Sequence, residues 1–149
     1  MTTHIIKGDS SMIFHLLQFD GGSNPNPGPC AGAFVIYKNE KNKEKIAEGG
    51  CFIPQGTNNI GEYTGLRIGL ERCIALGVKH IHIEGDSLLV ISQIAGKWKV
   101  KNHILSVIHS EILGMFSHFE TITACHIPRA MNSYADSLSD KTLSLKHSW

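Results

Sequence analysis

The sequence has few of the features that mark membrane, fibrous or strongly charged proteins. Its longest uninterrupted apolar runs, at 33–37 and 88–91, are far too short to cross a bilayer. Charged residues make up only 18% of the 149 residues, and the formal net charge at pH 7 is +1. No general electrostatic attraction to nucleic acid or anionic membrane is therefore expected, and any nucleic-acid binding must rest on a local patch.

Cysteine is also sparse, and no two cysteines form a C-x-x-C pair. Cys30, Cys51, Cys73 and Cys125 are widely spaced, which favours isolated buried thiols in a reducing compartment over a zinc site or a disulfide framework. Residues 1–11 are polar and contain no apolar segment typical of a secretion signal. We therefore expect an intracellular protein, located in the cytoplasm, the nucleoid or the nucleus.

The composition that is present is that of one globular domain, with 42% hydrophobic residues and 15 glycines. Alternating apolar residues predict three antiparallel strands within 12–53, and the later spacing completes an order βββαβααβα. That order predicts an α/β fold with a five-stranded mixed sheet, antiparallel on one side and parallel on the other, with helices on both faces. We assign residues 1–11 to a polar extension, 12–145 to the domain and 146–149 to a tail.

Four carboxylates lie where predicted strands end or predicted helices begin. Asp20 ends the first strand, Glu62 lies in the first turn of the long helix, Asp86 ends the fourth strand, and Asp136 lies near the start of the last helix. Each has a plain structural explanation. Asp20 could be a turn residue and Asp86 a helix cap. Glu62 could pair with Asn59 in a capping box, and Asp136 could complement the helix dipole.

These separate explanations do not account for the convergence of four acids at one end of the sheet. In such sheets, sites gather where strands end and helices start. Carboxylates brought within a few ångströms repel one another unless some of them are protonated, and a divalent cation removes that conflict. Oxygen ligands favour Mg²⁺ or Mn²⁺ over Zn²⁺ or copper. Two such ions can hold the attacking and leaving oxygens of a phosphodiester.

Five stretches together resemble one family, the type 1 ribonucleases H. They are 19–29 (FDGGSNPNPGP), 31–37 (AGAFVIY), 57–63 (TNNIGEY), 85–91 (GDSLLVI) and 127–138 (IPRAMNSYADSL). The resemblance covers roughly residues 12–145, and the five motifs in this order are far more specific than any one alone. It implies a ribonuclease H-like fold, in the form without the basic helical insertion that some relatives carry.

The resemblance implies an activity, the hydrolysis of the RNA strand of RNA–DNA hybrids, leaving 5′-phosphate and 3′-hydroxyl ends. It also implies a catalytic quartet holding two Mg²⁺ ions, with Mn²⁺ as a substitute. Asp20 would bridge both ions, Asp136 would help hold the ion that activates water, and Glu62 and Asp86 would hold the ion on the leaving-group side. We expect a monomer that binds hybrid nucleic acid and no membrane.

Contacts to the hybrid are expected in the minor groove, where 2′-hydroxyls are displayed. The residues implied are Gly21, Ser23 and Asn26 in the glycine- and proline-rich loop, Thr57, Asn58 and Asn59 at the helix start, and Gln93. Asparagine amides both donate and accept hydrogen bonds, as a 2′-hydroxyl requires. The alternative is that the two adjacent asparagines only cap the helix, although one helix has a single N-cap.

A short basic and aromatic segment, 97–101 (KWKVK), is a candidate path for the phosphates of the DNA strand. If the segment is extended, its three lysines share one side, with Lys99 on a phosphate and Trp98 against a sugar. The alternative is a solvated charged run beside a core tryptophan. Arg129 is a candidate phosphate contact, with an ordinary exposed arginine as the alternative.

The chain departs from many relatives at three places. Leu88 follows the G-D-S motif where many relatives have Gln, and the segment after Gly96 leads almost directly into the next helix. Relatives with a mobile catalytic histidine carry it in a longer loop, whereas His126 here precedes Pro128. We interpret His126 as a core or edge histidine rather than a proton shuttle.

His80 and His82 alternate with isoleucines, so they share a strand face with Glu84. That pattern is compatible with a metal site, but hydrogen-bonded packing is the favoured interpretation.

Two other functions stay open at this stage. A chain of the same fold could bind hybrids or double strands without cleaving them, although loss of a quartet acid would be expected and all four are present. The same chemistry could also act on double-stranded RNA or on DNA junctions, because the fold alone does not specify the substrate.

Overall fold

The protein was analysed as a computed structural model, which describes residues 1–9 and 11–149. Its strands are β1 (Thr3–Lys7), β2 (His15–Ser23), β3 (Gly28–Tyr37), β4 (Lys45–Gly56), β5 (His80–Gly85) and β6 (Thr121–His126). Its helices are α1 (Asn58–Ala75), α2 (Leu88–Ile94), α3 (His103–Met115) and α4 (Ser133–Leu145), with short 3-10 turns at Phe116–His118 and Arg129–Asn132.

The strands form one mixed sheet in the order β1-β6-β5-β2-β3-β4. β2, β3 and β4 are antiparallel neighbours, whereas β5 pairs in parallel with both β2 and β6. The predicted combination of an antiparallel meander with parallel crossovers is therefore confirmed.

The predicted strand count of five is wrong, because the sheet has six strands. The additional strand is β1, which lies within the segment 1–11 assigned to a polar extension and pairs antiparallel with β6. Only Ile6 of β1 packs against the main core. Since most of the pairing comes from the backbone, the polar side chains gave no hydrophobic pattern to detect.

Helices cover both faces of the sheet, as expected. α1, α2 and α3 cover one face, where Phe19, Tyr63 and Ile83 belong to the main buried cluster. α4 covers the other face, where Ala135 and Leu138 pack against Ala33 and Val35 of β3. Successive strand residues point to opposite faces, so β3 contributes to both layers.

The first two strands of the meander extend further than the sequence suggested. The ladder between β2 and β3 continues through Gly21–Gly32 and Ser23–Cys30, so Asp20 lies inside a strand rather than at its end. The irregular part of the glycine- and proline-rich loop is reduced to residues 24–27. Glycine is depleted in strands, which concealed this extension.

The four cysteines are unpaired, and three of them are buried, in agreement with the expectation of isolated thiols. Among the residues described, none of the helices combines the length and the apolar character needed to span a membrane.

Candidate active site

Parallel pairing of β2 with β5 brings two of the predicted acids side by side. Phe19 of β2 pairs with Gly85 of β5, and the next residue of each chain segment is an aspartate, Asp20 and Asp86. Asp20 is held further by its antiparallel partner Ala33. The register of the sheet therefore fixes the separation of these two carboxylates.

Glycine contacts bring Glu62 of α1 to the same place. A Cβ added to Gly21 would overlap the backbone of Gly61 and the amide nitrogen of Glu62, and one added to Gly61 would lie 2.7 Å from the nitrogen of Gly22. A Cβ on Gly65 would lie 2.5 Å from the carbonyl oxygen of Asp20. Glycine is needed at these positions because only its missing side chain lets helix and strand backbones approach so closely.

The structure brings the predicted acids together. Carboxylate oxygens of Asp20, Glu62 and Asp86 all lie within 4.8 Å of one another. Asp136, in the first turn of α4, lines the same open cleft of about 450 Å³. Four separate elements thus supply one acid each.

The carboxylates destabilise one another's ionised forms. Burial, the charge of Asp86 and a hydrogen bond with Asp136 raise the pKa of Asp20 to about 8. Burial and the charges of Asp20 and Asp86 raise the pKa of Glu62 well above its usual range. Close like charges and removal from water both favour the protonated acid.

A divalent cation fits this donor set. The Oε2 atom of Glu62 is buried and has no hydrogen-bond partner among the residues described. A buried oxygen of this kind costs free energy unless something binds it. A cation among three carboxylates would bind that oxygen and remove the mutual repulsion.

The capping explanations for these acids do not hold in the structure. Thr57 caps α1, its hydroxyl accepting a hydrogen bond from the nitrogen of Ile60 at 3.2 Å. Ser87 caps α2 in the same way through the nitrogen of Val90 at 3.2 Å. Asp86 is therefore not a cap, neither adjacent asparagine caps α1, and Glu62 lies beyond the first turn of that helix.

Several predicted substrate residues form a connected polar network beside the acids. Asn58 Oδ1 accepts hydrogen bonds from the backbone nitrogen of Ser23 at 2.8 Å and from its hydroxyl at 3.3 Å. Asn26 Oδ1 accepts from the Asn58 nitrogen at 3.1 Å and from the Ser23 hydroxyl at 3.0 Å. Asn59 is exposed, and with Thr57 it lines a second cleft that also includes Asn58. The network ties the 24–27 loop to the start of α1.

Gln93 is not part of this network. Its side chain is buried, accepts a short hydrogen bond from the Tyr63 hydroxyl and donates to the carbonyl oxygen of Lys99 at 3.1 Å. Both ends of its amide are therefore used inside the protein, and the expectation of a substrate contact is not supported by its position.

Trp98 and Lys99 lie away from the acidic cleft. Trp98 is 47% exposed and lines a separate depression with Leu88, Lys97 and His126. The segment is bent at residues 97–98 rather than extended, because the nitrogens of Lys97 and Trp98 both bond to the carbonyl oxygen of Ser92. The predicted one-sided lysine row therefore does not form as a strand.

Arg129 and His126 flank the cleft differently. Arg129 is exposed, lines the cleft, and places Nη2 3.7 Å from Oδ2 of Asp136. His126 ends β6, with Nε2 3.2 Å from the carbonyl oxygen of Asp86. This position agrees with the interpretation of His126 as an edge histidine.

Two residues near the cleft were missed from the sequence. Asp140 lines the cleft one helical turn after Asp136, and its i+4 spacing could have revealed it. Asn132 is fully buried, and its Nδ2 donates to the carbonyl oxygen of Phe19 at 2.9 Å. It anchors the strand residue directly before Asp20, a long-range contact with no local sequence signal.

Comparisons with known proteins agree with this geometry. The family model described as reverse transcriptase-like matches residues 18–142. A bifunctional protein of Mycobacterium tuberculosis, Rv2228c, is 35% identical over 86% of this chain, which spans 35% of that protein's length. Its solved N-terminal RNase H domain superposes with a TM-score of 0.85 at 33% identity, covering 91% of this chain and 96% of that one.

Two further relatives are ribonucleases H. LC11-RNase H1, isolated from compost and solved in complex with an RNA/DNA hybrid, has a TM-score of 0.81 at 28% identity, covering 88% of this chain and 97% of that one. Ribonuclease HI of Halobacterium salinarum is 35% identical over 95% of this chain and 69% of its own length. On this similarity and the shared fold, the chain belongs to the type 1 ribonuclease H family.

Proposed function

We propose that this chain is a metal-dependent endonuclease that hydrolyses the RNA strand of RNA–DNA hybrids. The observation that carries the proposal is the convergence of Asp20, Glu62 and Asp86 within 4.8 Å in an open cleft that Asp136 also lines. Similarity to ribonuclease HI, and to an RNase H1 solved with an RNA/DNA hybrid, supports the choice of substrate.

The acids are proposed to hold two Mg²⁺ ions, with Mn²⁺ as a substitute, since all donors are carboxylate oxygens. Asp20 is placed between Glu62 and Asp86 on one side and Asp136 on the other, so we assign it to both ions. Glu62 and Asp86 are assigned to the leaving-group side, and Asp136 to the side of the attacking water. Two ions bound in this way activate water and stabilise the departing oxygen of a phosphodiester.

The remaining residues of the cleft are proposed to orient the hybrid. Ser23, Asn26 and Asn58 already hold one another by hydrogen bonds, so little side-chain freedom is lost when they meet 2′-hydroxyls and sugars. Thr57 and Asn59 would extend this contact along the second cleft, and the close approach at Gly21 leaves its backbone free of side-chain bulk.

Arg129 is proposed to contact the phosphate next to the cleaved bond. Its guanidinium is exposed and lies near Asp136 at the mouth of the cleft. A fixed positive charge there would orient the phosphate towards the acids and offset part of their repulsion of the substrate. Cleavage is proposed to leave a 5′-phosphate and a 3′-hydroxyl.

The test is cleavage of end-labelled strands in four substrates, namely RNA–DNA hybrid, double-stranded RNA, double-stranded DNA and single-stranded RNA. We expect Mg²⁺-dependent cleavage of the hybrid's RNA strand alone, with products that ligate as 5′-phosphates. Equal cleavage of double-stranded RNA would contradict the substrate proposal. Hybrid binding without any cleavage would instead identify a silent binding module of the same fold.

A further inference from the structure

A second group of potential metal ligands lies on β5 and the turn between β3 and β4. Ile81 and Ile83 point into the main core under α1, so the intervening His82 and the following Glu84 point to the other face of the sheet. Glu40, from the β3–β4 turn, reaches the same point. Ligand atoms of Glu40, His82 and Glu84 all lie within 4.8 Å of one another.

This spacing is compatible with one ion. A tetrahedral zinc ion with ligands at about 2.1 Å separates them by roughly 3.4 Å. His82 Nε2 and Glu84 Oε2 are 3.3 Å apart, close to that separation before any ion is added. Glu40 is exposed on a turn, so its carboxylate can move the remaining distance without disturbing the sheet.

Each of the two sheet ligands is anchored on its far side. His82 Nδ1 lies 2.6 Å from the hydroxyl oxygen of Thr123, and Gln18 donates from Nε2 to Glu84 Oε1 at 2.8 Å. These bonds leave Nε2 of His82 and Oε2 of Glu84 directed towards each other. Metal-binding histidines and carboxylates in proteins are typically oriented by such outer hydrogen bonds.

His80 provides an internal comparison on the same strand. Its Nδ1 lies 2.6 Å from the hydroxyl oxygen of Thr121, and its Nε2 lies 3.4 Å from Glu120 Oε2. No second carboxylate joins His80 among the groups found in the described residues. A histidine–glutamate pair alone explains the arrangement at His80, but it does not explain the second carboxylate at His82.

Burial makes the arrangement at His82 demanding. His82 is 5% exposed, and Glu84 is partly buried beside it. Two carboxylates facing one imidazole carry more negative charge than a protonated histidine can neutralise. Cys125 also lies on this face, but burial and the charge of Glu84 raise its pKa, so it is a neutral thiol outside the ligand set.

We propose that Glu40, His82 and Glu84 bind a divalent transition-metal ion, with Zn²⁺ as the preferred ion, and thereby fasten the β3–β4 turn to the sheet. One imidazole nitrogen with two carboxylates is a donor set that suits zinc. The acidic cleft at Asp20, which offers only oxygens, suits Mg²⁺. The two sites therefore select different metals, and the zinc site does not depend on the proposed nuclease activity.

The test is Zn²⁺ binding to metal-stripped protein in saturating Mg²⁺, which occupies the acidic cleft. Titration calorimetry should give one Zn²⁺ per chain, and long-range ¹⁵N–¹H spectra should show Nε2 of His82 as a ligand. Binding should weaken at least tenfold in Glu40→Gln and be unchanged in Glu44→Gln, an exposed carboxylate of the same turn. Thermal unfolding should show a Zn²⁺-dependent rise in Tm that Glu40→Gln reduces.

The outer hydrogen bond gives an independent comparison. Thr123→Val should weaken Zn²⁺ binding about 10- to 100-fold, whereas Thr121→Val, the matching change beside His80, should leave it unchanged. Absence of a bound Zn²⁺ in saturating Mg²⁺ would overturn the proposal. Equal binding by Glu40→Gln and Glu44→Gln in wild-type-like folded proteins would overturn it as well.

Discussion

Asp20 combines burial with two neighbouring acids, and this combination makes the stability of the metal-free protein depend on pH. The pKa of Asp20 is about 8 in the folded chain and about 4 in an unfolded chain. Between these values the folded state binds more protons, so the free energy of unfolding falls as the pH rises. Its contribution is fully present below about pH 4 and is lost above about pH 8.

We therefore predict that the chelator-treated protein is less stable at pH 8 than at pH 5, and that Asp20→Asn reduces this slope. Urea unfolding at both pH values measures it. Mg²⁺ should stabilise the wild type more at pH 8 than at pH 5, because the carboxylates it binds are then ionised. The same pH slope in wild type and Asp20→Asn would contradict the assignment.

Asn132 is a second residue whose role the structure specifies. Its buried amide donates to the carbonyl oxygen of Phe19, directly before Asp20. We predict that Asn132→Ala lowers the free energy of unfolding by about 1–3 kcal/mol, because a buried acceptor loses its partner, and that it also lowers kcat. Urea unfolding and hybrid cleavage measure the two effects. Unchanged stability would mean that Phe19 finds another donor.

The contact between β2 and α1 is the element-scale feature on which the site depends. A Cβ on Gly21 would overlap the backbone of α1, so Gly21→Ala must separate Asp20 from Glu62. We predict a loss of at least about 1–3 kcal/mol, typical of overpacked interiors, together with a loss of cleavage. Thermal unfolding in chelator separates the effect on packing from the effect on metal binding.

Gly114→Ala is the matched control, because Gly114 lies in α3 with open space around it. This change should stabilise the protein by about 0.5–1 kcal/mol, since alanine is the better helix former. Equal effects of the two changes would mean that the approach of α1 to β2 is not limiting.

The elements also show what can be predicted from the sequence. Asp20, Glu62 and Asp86 belong to compact motifs, and their convergence follows once a parallel pairing is assumed, as the Phe19–Gly85 register confirms. β1 gave no signal, because its pairing with β6 rests on the backbone. The burial of Gln93 depends on Tyr63 and Lys99, and such tertiary contacts leave no local pattern.

At the scale of the whole molecule, the acidic cleft and the basic segment 97–101 are separate surfaces. Since the net charge is only +1, hybrid binding must draw on such local patches. We predict that Lys99→Ala weakens hybrid binding and lowers the salt dependence of log K by about one ion per lost phosphate contact. Fluorescence anisotropy at several salt concentrations, in the Asp20→Asn background, measures both.

Lys41→Ala is the control for that measurement, because Lys41 is exposed in the β3–β4 turn and also carries one charge. It should leave the salt dependence unchanged. Equal effects of the two changes would mean that Lys99 contributes only to the overall charge and not to a specific contact.

The whole sheet serves to hold four acids from four elements at one point, and that arrangement is the central claim. The most direct test compares wild type with Asp20→Asn and with Glu111→Gln, an exposed carboxylate of α3, in Mg²⁺-dependent cleavage of the RNA strand of a hybrid. We predict that Asp20→Asn loses turnover while it folds and binds the hybrid, and that Glu111→Gln cleaves as the wild type does. Near-normal cleavage by Asp20→Asn would contradict the account.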